Sequence, residues 1–137
     1  MYDLLQSKIT IGHLTIKNRV AMTAMGVFIA APGGGVNDDI IAFYEARAKG
    51  GVGLIITEVT RVCDGAGGGE PCQLAARNFA DALELRRLTD AVHKYDTKIF
   101  IQLQHPGRTA TSALTGEQPV APSPIPLAGG ELPRALT

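Results

Sequence analysis

The sequence lacks the features that would place it among nucleic-acid-binding or membrane proteins. Its formal net charge is zero, with 13 Lys and Arg against 13 Asp and Glu, and it has no basic run. Proteins bind phosphate backbones through a surplus of Lys and Arg, so we expect no nucleic-acid partner. No apolar run approaches the roughly 20 residues that span a bilayer, and the first ten residues lack the pattern of a signal peptide. We therefore expect a cytoplasmic protein with no membrane partner.

Metal-binding and nucleotide-binding motifs are also missing. The two cysteines, Cys63 and Cys72, flank a glycine-rich stretch with no histidine between them, which is too few ligands for a zinc or iron–sulfur site. We expect free thiols and no metal. The stretch AMGVFIAAPGGGVN has neither a Gly-x-Gly-x-x-Gly fingerprint opening a helix nor the Lys-Ser/Thr of a phosphate loop.

Strand and helix patterns alternate along the chain. We predict a hairpin over residues 8–19, strands over 20–25, 52–57 and 98–104, and an extended surface loop over 118–137. We predict one helix over 39–49, capped by Asn37 or Asp38, and a second that follows Asn78 and ends near residue 95. The predicted apolar faces are Ile40, Phe43, Tyr44 and Arg47 on the first helix, and Ala82, Leu85, Leu88, Thr89 and Val92 on the second.

This order of elements predicts an α/β fold with a parallel sheet, because β-α-β crossovers are right-handed. Long loops follow the predicted strands, and ligand sites of α/β folds are built from the loops at the carboxyl ends of strands. A barrel and a doubly wound sheet both fit the pattern.

The third predicted strand, in KIFIQLQHPGR (98–108), carries two amides among apolar residues. Side chains alternate along a strand, so Phe100, Gln102 and Gln104 share one face, and the aliphatic face opposite is expected to meet helices. A buried amide without partners costs roughly 1–3 kcal/mol, so water, other side chains or a ligand must satisfy these two. The pattern alone does not choose among them.

Four segments together resemble the amino-terminal part of the Old Yellow Enzyme family of flavin-dependent ene-reductases, especially its bacterial NADH:flavin oxidoreductase and 2,4-dienoyl-CoA reductase type. The segments are LTIKNRVAMTAM (14–25), GVNDDIIAFYEARAKGGVGLIITE (35–58), KIFIQLQHPGR (98–108) and VAPSPIP (120–126). The resemblance implies a (β/α)8 TIM barrel that holds FMN. Residues 1–137 would supply a hairpin and the first three β/α units of an incomplete barrel, truncated after the third strand and its loop.

The resemblance also implies cofactor-binding residues. Thr23, Ala24, Met25 and Gly26 match a segment that lies along the flavin ring, and Val59 matches the position that closes the second strand against it. Gln102 matches a glutamine whose amide pairs with the pyrimidine edge of FMN. No catalytic residue and no metal ligand can be assigned.

Four positions depart from the family pattern or stay open. Gly26 stands where many relatives have Cys or Thr, and Phe28 stands where some relatives have a tyrosine that reaches the substrate. His105 and Arg108 match a family turn, and we interpret them as loop-structuring residues first and ligand contacts second.

The implied activity of the whole protein is FMN-dependent reduction of an activated C=C bond in a small molecule, with NAD(P)H as reductant. A flavin amine dehydrogenase on the same barrel and a non-catalytic barrel fragment are the alternatives. Because three strands would leave open sheet edges, we expect self-association of the isolated chain.

Overall fold

The computed structural model describes residues 2–137, which form three small sheets and four α-helices. The strands are β1 (Ile9–Ile11), β2 (Leu14–Ile16), β3 (Ala21–Met22), β4 (Leu54–Arg61), β5 (Lys98–Gln104), β6 (Val120–Ala121) and β7 (Arg134–Ala135). The helices are α1 (Asp3–Gln6), α2 (Asp38–Lys49), α3 (Phe79–His93) and α4 (Ser112–Thr115). Within this described part of the chain, no helix is long and apolar enough to cross a bilayer.

The predicted hairpin is confirmed. Strands β1 and β2 pair antiparallel, with Ile9 opposite Ile16, and Gly12 in the connecting turn has a φ of +61°. Glycine adopts this left-handed conformation without the steric cost that a Cβ would add. Ile16 is buried, and its side chain packs against Gly53, just before β4.

The central sheet is parallel, with the order β3-β4-β5. Its first strand is shorter than the predicted 20–25, because only Ala21 and Met22 pair with β4. Beyond Met22 the backbone leaves the sheet, and the amides of Val27 and Phe28 bind a carboxylate instead of a neighbouring strand. Strand β5 has the predicted bounds, 98–104.

The second strand is longer than predicted. It continues past residue 57 to Arg61 through a shift of register between Ile56 and Val59, where β4 advances three residues while β5 advances two. An inserted residue of this kind is a β-bulge. The bulge lets Thr57 and Glu58 turn into the protein, and both are fully buried.

Both long helices begin at an asparagine. Asn37 Oδ1 accepts from the Ile40 amide at 2.9 Å, so α2 starts one residue earlier than predicted. Asn78 Oδ1 accepts from the Asp81 amide at 3.1 Å, as predicted for α3, which ends at His93. Side-chain caps of this kind satisfy backbone donors that the first turn of a helix leaves free.

The two helices pack on one face of the parallel sheet and form the core. The buried apolar residues of this core are Ala30, Val36, Ile40, Tyr44, Ala48, Ile55, Leu74, Leu85, Leu88 and Val92. Two predicted positions are wrong: Ala82 is exposed, whereas Ala91 is buried, and Arg47 lies outside the core. The Arg47 guanidinium stacks 3.6 Å from the centre of the Phe43 ring, which keeps its charge in water.

The predicted surface loop over 118–137 contains structure. Strand β6 pairs in parallel with β7, and Val120 and Ala121 are buried. The many prolines and glycines of the segment therefore connect two short strands, and the prediction of an extended loop holds only for the residues between them.

Candidate functional site

Val59 and Gln102 lie side by side at the carboxyl ends of β4 and β5. Because of the bulge, Val59 follows Ile56 on the face of the sheet that is opposite the helices, and Gln102 follows Phe100 on the same face. The main-chain amide of Gln102 donates to Thr57 Oγ1 at 3.2 Å, which anchors this part of β5. The side-chain amide of Gln102 is exposed and bonds no group within residues 2–137.

The predicted segment from Thr23 to Gly26 lies directly after β3, at the same end of the sheet. It has no regular secondary structure, and Met25 is 55% exposed. The structure therefore brings this segment, Val59 and Gln102 together at the carboxyl end of the parallel sheet. Of the face predicted to meet helices, Ile99 does pack on the core, whereas Ile101 and Leu103 remain exposed within residues 2–137.

Glu58 joins the loops that follow β3 and β4 at this end of the sheet. Its Oε2 accepts from the amides of Val27 at 2.7 Å and Phe28 at 2.9 Å, and its Oε1 accepts from the amide of Leu74 at 3.1 Å. A fully buried carboxylate needs hydrogen bonds of this kind to offset its lost hydration. Sequence reasoning missed Glu58, although an acidic residue inside the apolar run LIITEV was a signal.

Tyr44, on α2, binds the backbone of Glu58. The main-chain amide of Glu58 donates to the Tyr44 hydroxyl at 2.7 Å, and both residues are buried. Burial raises the pKa of Tyr44 to about 12, and the charge of Glu58 adds to the rise, while the hydrogen bond from the Glu58 backbone opposes it. Helix α2 is thereby joined to the bulge of β4.

Gln73 is a second residue that sequence reasoning missed. Its Nε2 donates to the Val59 main-chain oxygen at 3.1 Å and to Gln104 Oε1 at 3.0 Å. The Val59 oxygen can only accept, so this contact fixes which end of the Gln73 amide points toward the strands. Gln73 Oε1 is buried with no hydrogen-bond partner among residues 2–137, and Gly69 lies against it. No pattern in the polar stretch around Gln73 distinguishes it from its neighbours.

A charged network fixes the loop that carries Gln73. Arg61 is buried and donates to the main-chain oxygens of Gly33 at 2.7 Å and Gln73 at 3.3 Å. Arg77 binds Asp64 at 2.7 Å and Asp81 at 2.9 Å. The side-chain hydrogen bond between Arg77 and Asp81 lowers the pKa of Asp81. It also raises the pKa of Arg77. The loops after β3 and β4 are thus held at their carbonyl oxygens by Arg61 and at their amides by Glu58.

A cavity of about 170 Å³ opens between these loops. Phe28, Val59, Gln73 and Gln104 line it, together with residues of the loop after β5. His105 and Arg108 contact loop residues: Gly107 donates to His105 Nδ1 at 3.0 Å, and Arg108 donates to the main-chain oxygen of Ile125, between β6 and β7, at 3.3 Å. Both contacts agree with a loop-structuring role.

The sequence profile of the NADH:flavin oxidoreductase / NADH oxidase family matches residues 5–132. The chain belongs to this family. Members of the NADH:flavin oxidoreductase / NADH oxidase family use FMN with NAD(P)H as the reductant.

Two relatives and one solved structure illustrate the similarity. An NADH oxidase of Thermoanaerobacter brockii is 44% identical over 129 residues, which cover 93% of this chain and 20% of the relative. A metal reductase of Desulforamulus reducens is 44% identical over 139 residues, which cover 98% of this chain and 20% of that protein. The Old Yellow Enzyme homologue of Zymomonas mobilis superposes with a TM-score of 0.88 at 31% identity, over 97% of this chain and 39% of that structure.

The chain therefore spans about a fifth of the length of these two relatives. Its fold matches the α/β barrels of Old Yellow Enzymes.

The residues at the sheet edge fit the family's cofactor chemically. The pyrimidine edge of FMN offers carbonyl acceptors and an N–H donor, and the free side-chain amide of Gln102 offers both complementary groups in one plane. Thr23, Met25 and Gly26 are exposed and Ala24 is half-buried, and backbone atoms of such a segment can contact a ring without a particular side chain. Val59 offers an apolar side chain directly beside Gln102.

Proposed function

We propose that this chain is the amino-terminal portion of an FMN-binding (β/α)8 barrel, formed by the hairpin and the first three β/α units. The parallel order β3-β4-β5, with α2 and α3 on one face, supports this assignment. The short share of each relative that the chain covers also supports it. Strands β3 and β5 lie at the two edges of this sheet within residues 2–137, where further barrel strands could pair.

The proposed activity of the whole protein is NAD(P)H-driven reduction of an activated C=C bond in a small molecule. FMN, when bound, would supply the hydride-transfer chemistry between NAD(P)H and the substrate. The part of the protein described here binds and orients the cofactor. We also propose that it acts in the cytoplasm, where NAD(P)H is available.

Six residues are proposed to hold FMN. Gln102 would hydrogen-bond the pyrimidine edge, and Val59 would close the second strand against it. Thr23, Ala24, Met25 and Gly26 would lie along the ring and contact it mainly through backbone atoms. The observation that carries the proposal is the pairing of Val59 with Gln102, which leaves an unbonded amide at the carboxyl edge of a parallel sheet.

FMN titration of the intact protein tests this function. We expect a yellow protein that oxidises NAD(P)H when an α,β-unsaturated carbonyl compound is added. Gln102→Leu should raise the Kd for FMN at least tenfold because it removes both hydrogen-bonding groups. Gln6→Leu is the matched control, since Gln6 is an exposed glutamine on α1, outside the parallel sheet. A protein that stays colourless with excess FMN would support the non-catalytic alternative and overturn the proposal.

A further inference from the structure

The side chain of Thr57 reaches from the bulge of β4 to the neighbouring strand β5. Its hydroxyl oxygen accepts from the main-chain amide of Gln102 at 3.2 Å, and the same hydroxyl lies 3.0 Å from the main-chain oxygen of Glu58, to which it donates. Thr57 is fully buried, where a hydroxyl without partners would cost free energy. The two contacts therefore hold the hydroxyl oxygen toward β5.

Thr60, three residues further along β4, provides a direct comparison. It is also fully buried, and its hydroxyl donates to the same main-chain oxygen of Glu58 at 3.0 Å. The hydroxyl oxygens of Thr57 and Thr60 lie 3.3 Å apart. Both hydroxyls thus bind the backbone of the bulge. Among residues 2–137, however, Thr57 supplies the side-chain acceptor for the amide of Gln102, and Thr60 does not.

The direction of the Gln102 side chain depends on the backbone that carries it. The side-chain amide is exposed and bonds no group within residues 2–137, so no other side chain of this part of the protein orients it. Regular pairing stops at Phe100 and resumes at Gln102, so the bulge interrupts the ladder directly before this residue. Hydrogen bonds weaken steeply when distance and angle change. A small shift of the backbone here would therefore misalign the amide with a planar partner.

We propose that Thr57 is a positioning residue of the cofactor site: its hydroxyl fixes the backbone of Gln102 across the bulge, so that the side-chain amide of Gln102 meets the pyrimidine edge of FMN. Because Thr57 is itself fully buried, it acts on the cofactor only through Gln102. The role needs an acceptor oxygen, which serine retains and valine lacks. This inference rests on the proposed function and adds to it the residue that directs the flavin-binding amide.

Amide exchange in the flavin-free intact protein tests the backbone contact without the cofactor. Thr57→Val replaces the hydroxyl by a methyl group and should speed exchange of the Gln102 amide about tenfold, whereas Thr57→Ser should exchange as the wild type does. Thr60→Val is the matched control, because it removes a buried hydroxyl from the same bulge and leaves the contact to Gln102 in place. Unchanged exchange at Gln102 in Thr57→Val, or equal acceleration by Thr57→Val and Thr60→Val, would overturn the proposal.

FMN titration tests whether the contact affects the cofactor. Thr57→Val should raise the Kd for FMN about fivefold, less than Gln102→Leu, because the amide is displaced and not lost. Thr57→Ser should retain the wild-type Kd, and Thr60→Val should change it less than about twofold. In the Gln102→Leu background, Thr57→Val should add no further loss, because the group through which it acts is gone. Additive losses in the double variant would contradict a role through Gln102.

Thr57→Ala carries both tests if the valine variant does not fold, because it removes the hydroxyl without placing a methyl group against the Gln102 amide. If the wild-type protein binds no FMN, the proposed function and the cofactor role of Thr57 both fail, even where the exchange result confirms the backbone contact. If FMN binds and its Kd is the same in Thr57→Val and the wild type, the positioning role alone fails and the proposed function stands.

Discussion

Gln73 donates its side-chain N–H to the main-chain oxygen of Val59 across 3.1 Å. A loop residue thus holds the end of β4 in place beside Gln102, its pairing partner on β5. The site at the strand ends consequently depends on the loop after β4 as well as on the sheet.

Gln73→Glu should destabilise the protein strongly. The substitution places a carboxylate oxygen against two acceptors, the Val59 oxygen and Gln104 Oε1, in a position that is 1% exposed. We expect the free energy of unfolding to fall by about 3 kcal/mol, as for other buried groups that lose their partners. Chemical denaturation measures the change, and exposed Gln6→Glu should stay within about 0.5 kcal/mol of wild type. Equal stability of the two variants would show that the Gln73 contacts contribute nothing.

The buried phenol of Tyr44 should make stability depend on alkaline pH. Burial raises its pKa from 10.0 to about 12 in the folded protein, so between these values the folded state retains a proton that the unfolded state has lost. Stability from this group is complete below pH 10 and falls by about 1.4 kcal/mol per pH unit up to about pH 12. Unfolding free energies measured from pH 9 to 12 should show this slope in the wild type and lack it in Tyr44→Phe.

Tyr44→Phe should also cost stability at neutral pH. It leaves the buried main-chain amide of Glu58 without its acceptor, at a cost of about 1–3 kcal/mol. Thermal unfolding at pH 7 measures this loss, and an unchanged midpoint would contradict the role assigned to the hydroxyl.

Gly53 has no room for a side chain. A Cβ atom there would lie 2.5 Å from Asn18 Oδ1 and 2.9 Å from both the Asn18 main-chain oxygen and Ile16 Cγ2. Gly53→Ala should therefore lower the unfolding free energy by about 2 kcal/mol or more, because the hairpin and β4 must separate. Gly50→Ala is the control: its φ is −68°, its nearest neighbours stand at 3.3 Å or beyond, and it should change stability little. The comparison fails if both variants unfold at the same denaturant concentration.

The exposed edge of β5 should drive self-association of the isolated chain. Leu103 is 63% exposed on a strand that, within residues 2–137, pairs on one side only. Leu103→Lys should reduce the apparent mass measured by light scattering at high concentration, because a charge on an edge strand opposes pairing. Leu83→Lys, which changes an exposed leucine on α3, should have no such effect. A wild-type chain that remains monomeric at all concentrations would contradict the expectation.

Local patterns predicted the elements whose signals lie close together in the sequence. The two asparagine caps, the hairpin turn at Gly12 and the bounds of β5 depend on neighbouring residues, and each was found. The short β3 and the paired strands near the carboxyl end depend on contacts across many residues. Alternation of side chains could not reveal those contacts.

The candidate site was predictable in the same uneven way. Gln102 stood out because an amide interrupts an apolar strand, and family resemblance added Val59 and residues 23–26. Glu58 lay one residue beyond the predicted end of β4, and its partners Val27 and Leu74 are 31 and 16 residues away. Gln73 lies in a loop whose conformation depends on Arg61 and on the missing Cβ of Gly69.

The bulge in β4 determines which face of the sheet each residue after Ile56 occupies. With regular alternation, Glu58 would share a side with Ile56 and Val59 would face the helices; one extra residue exchanges them. If the same residues paired without the bulge, the Glu58 carboxylate would stand opposite Gln102, where the aliphatic side chain of Val59 now stands. A sequence alignment that misplaces a gap by one residue within 56–59 would therefore assign the role of one residue to its neighbour.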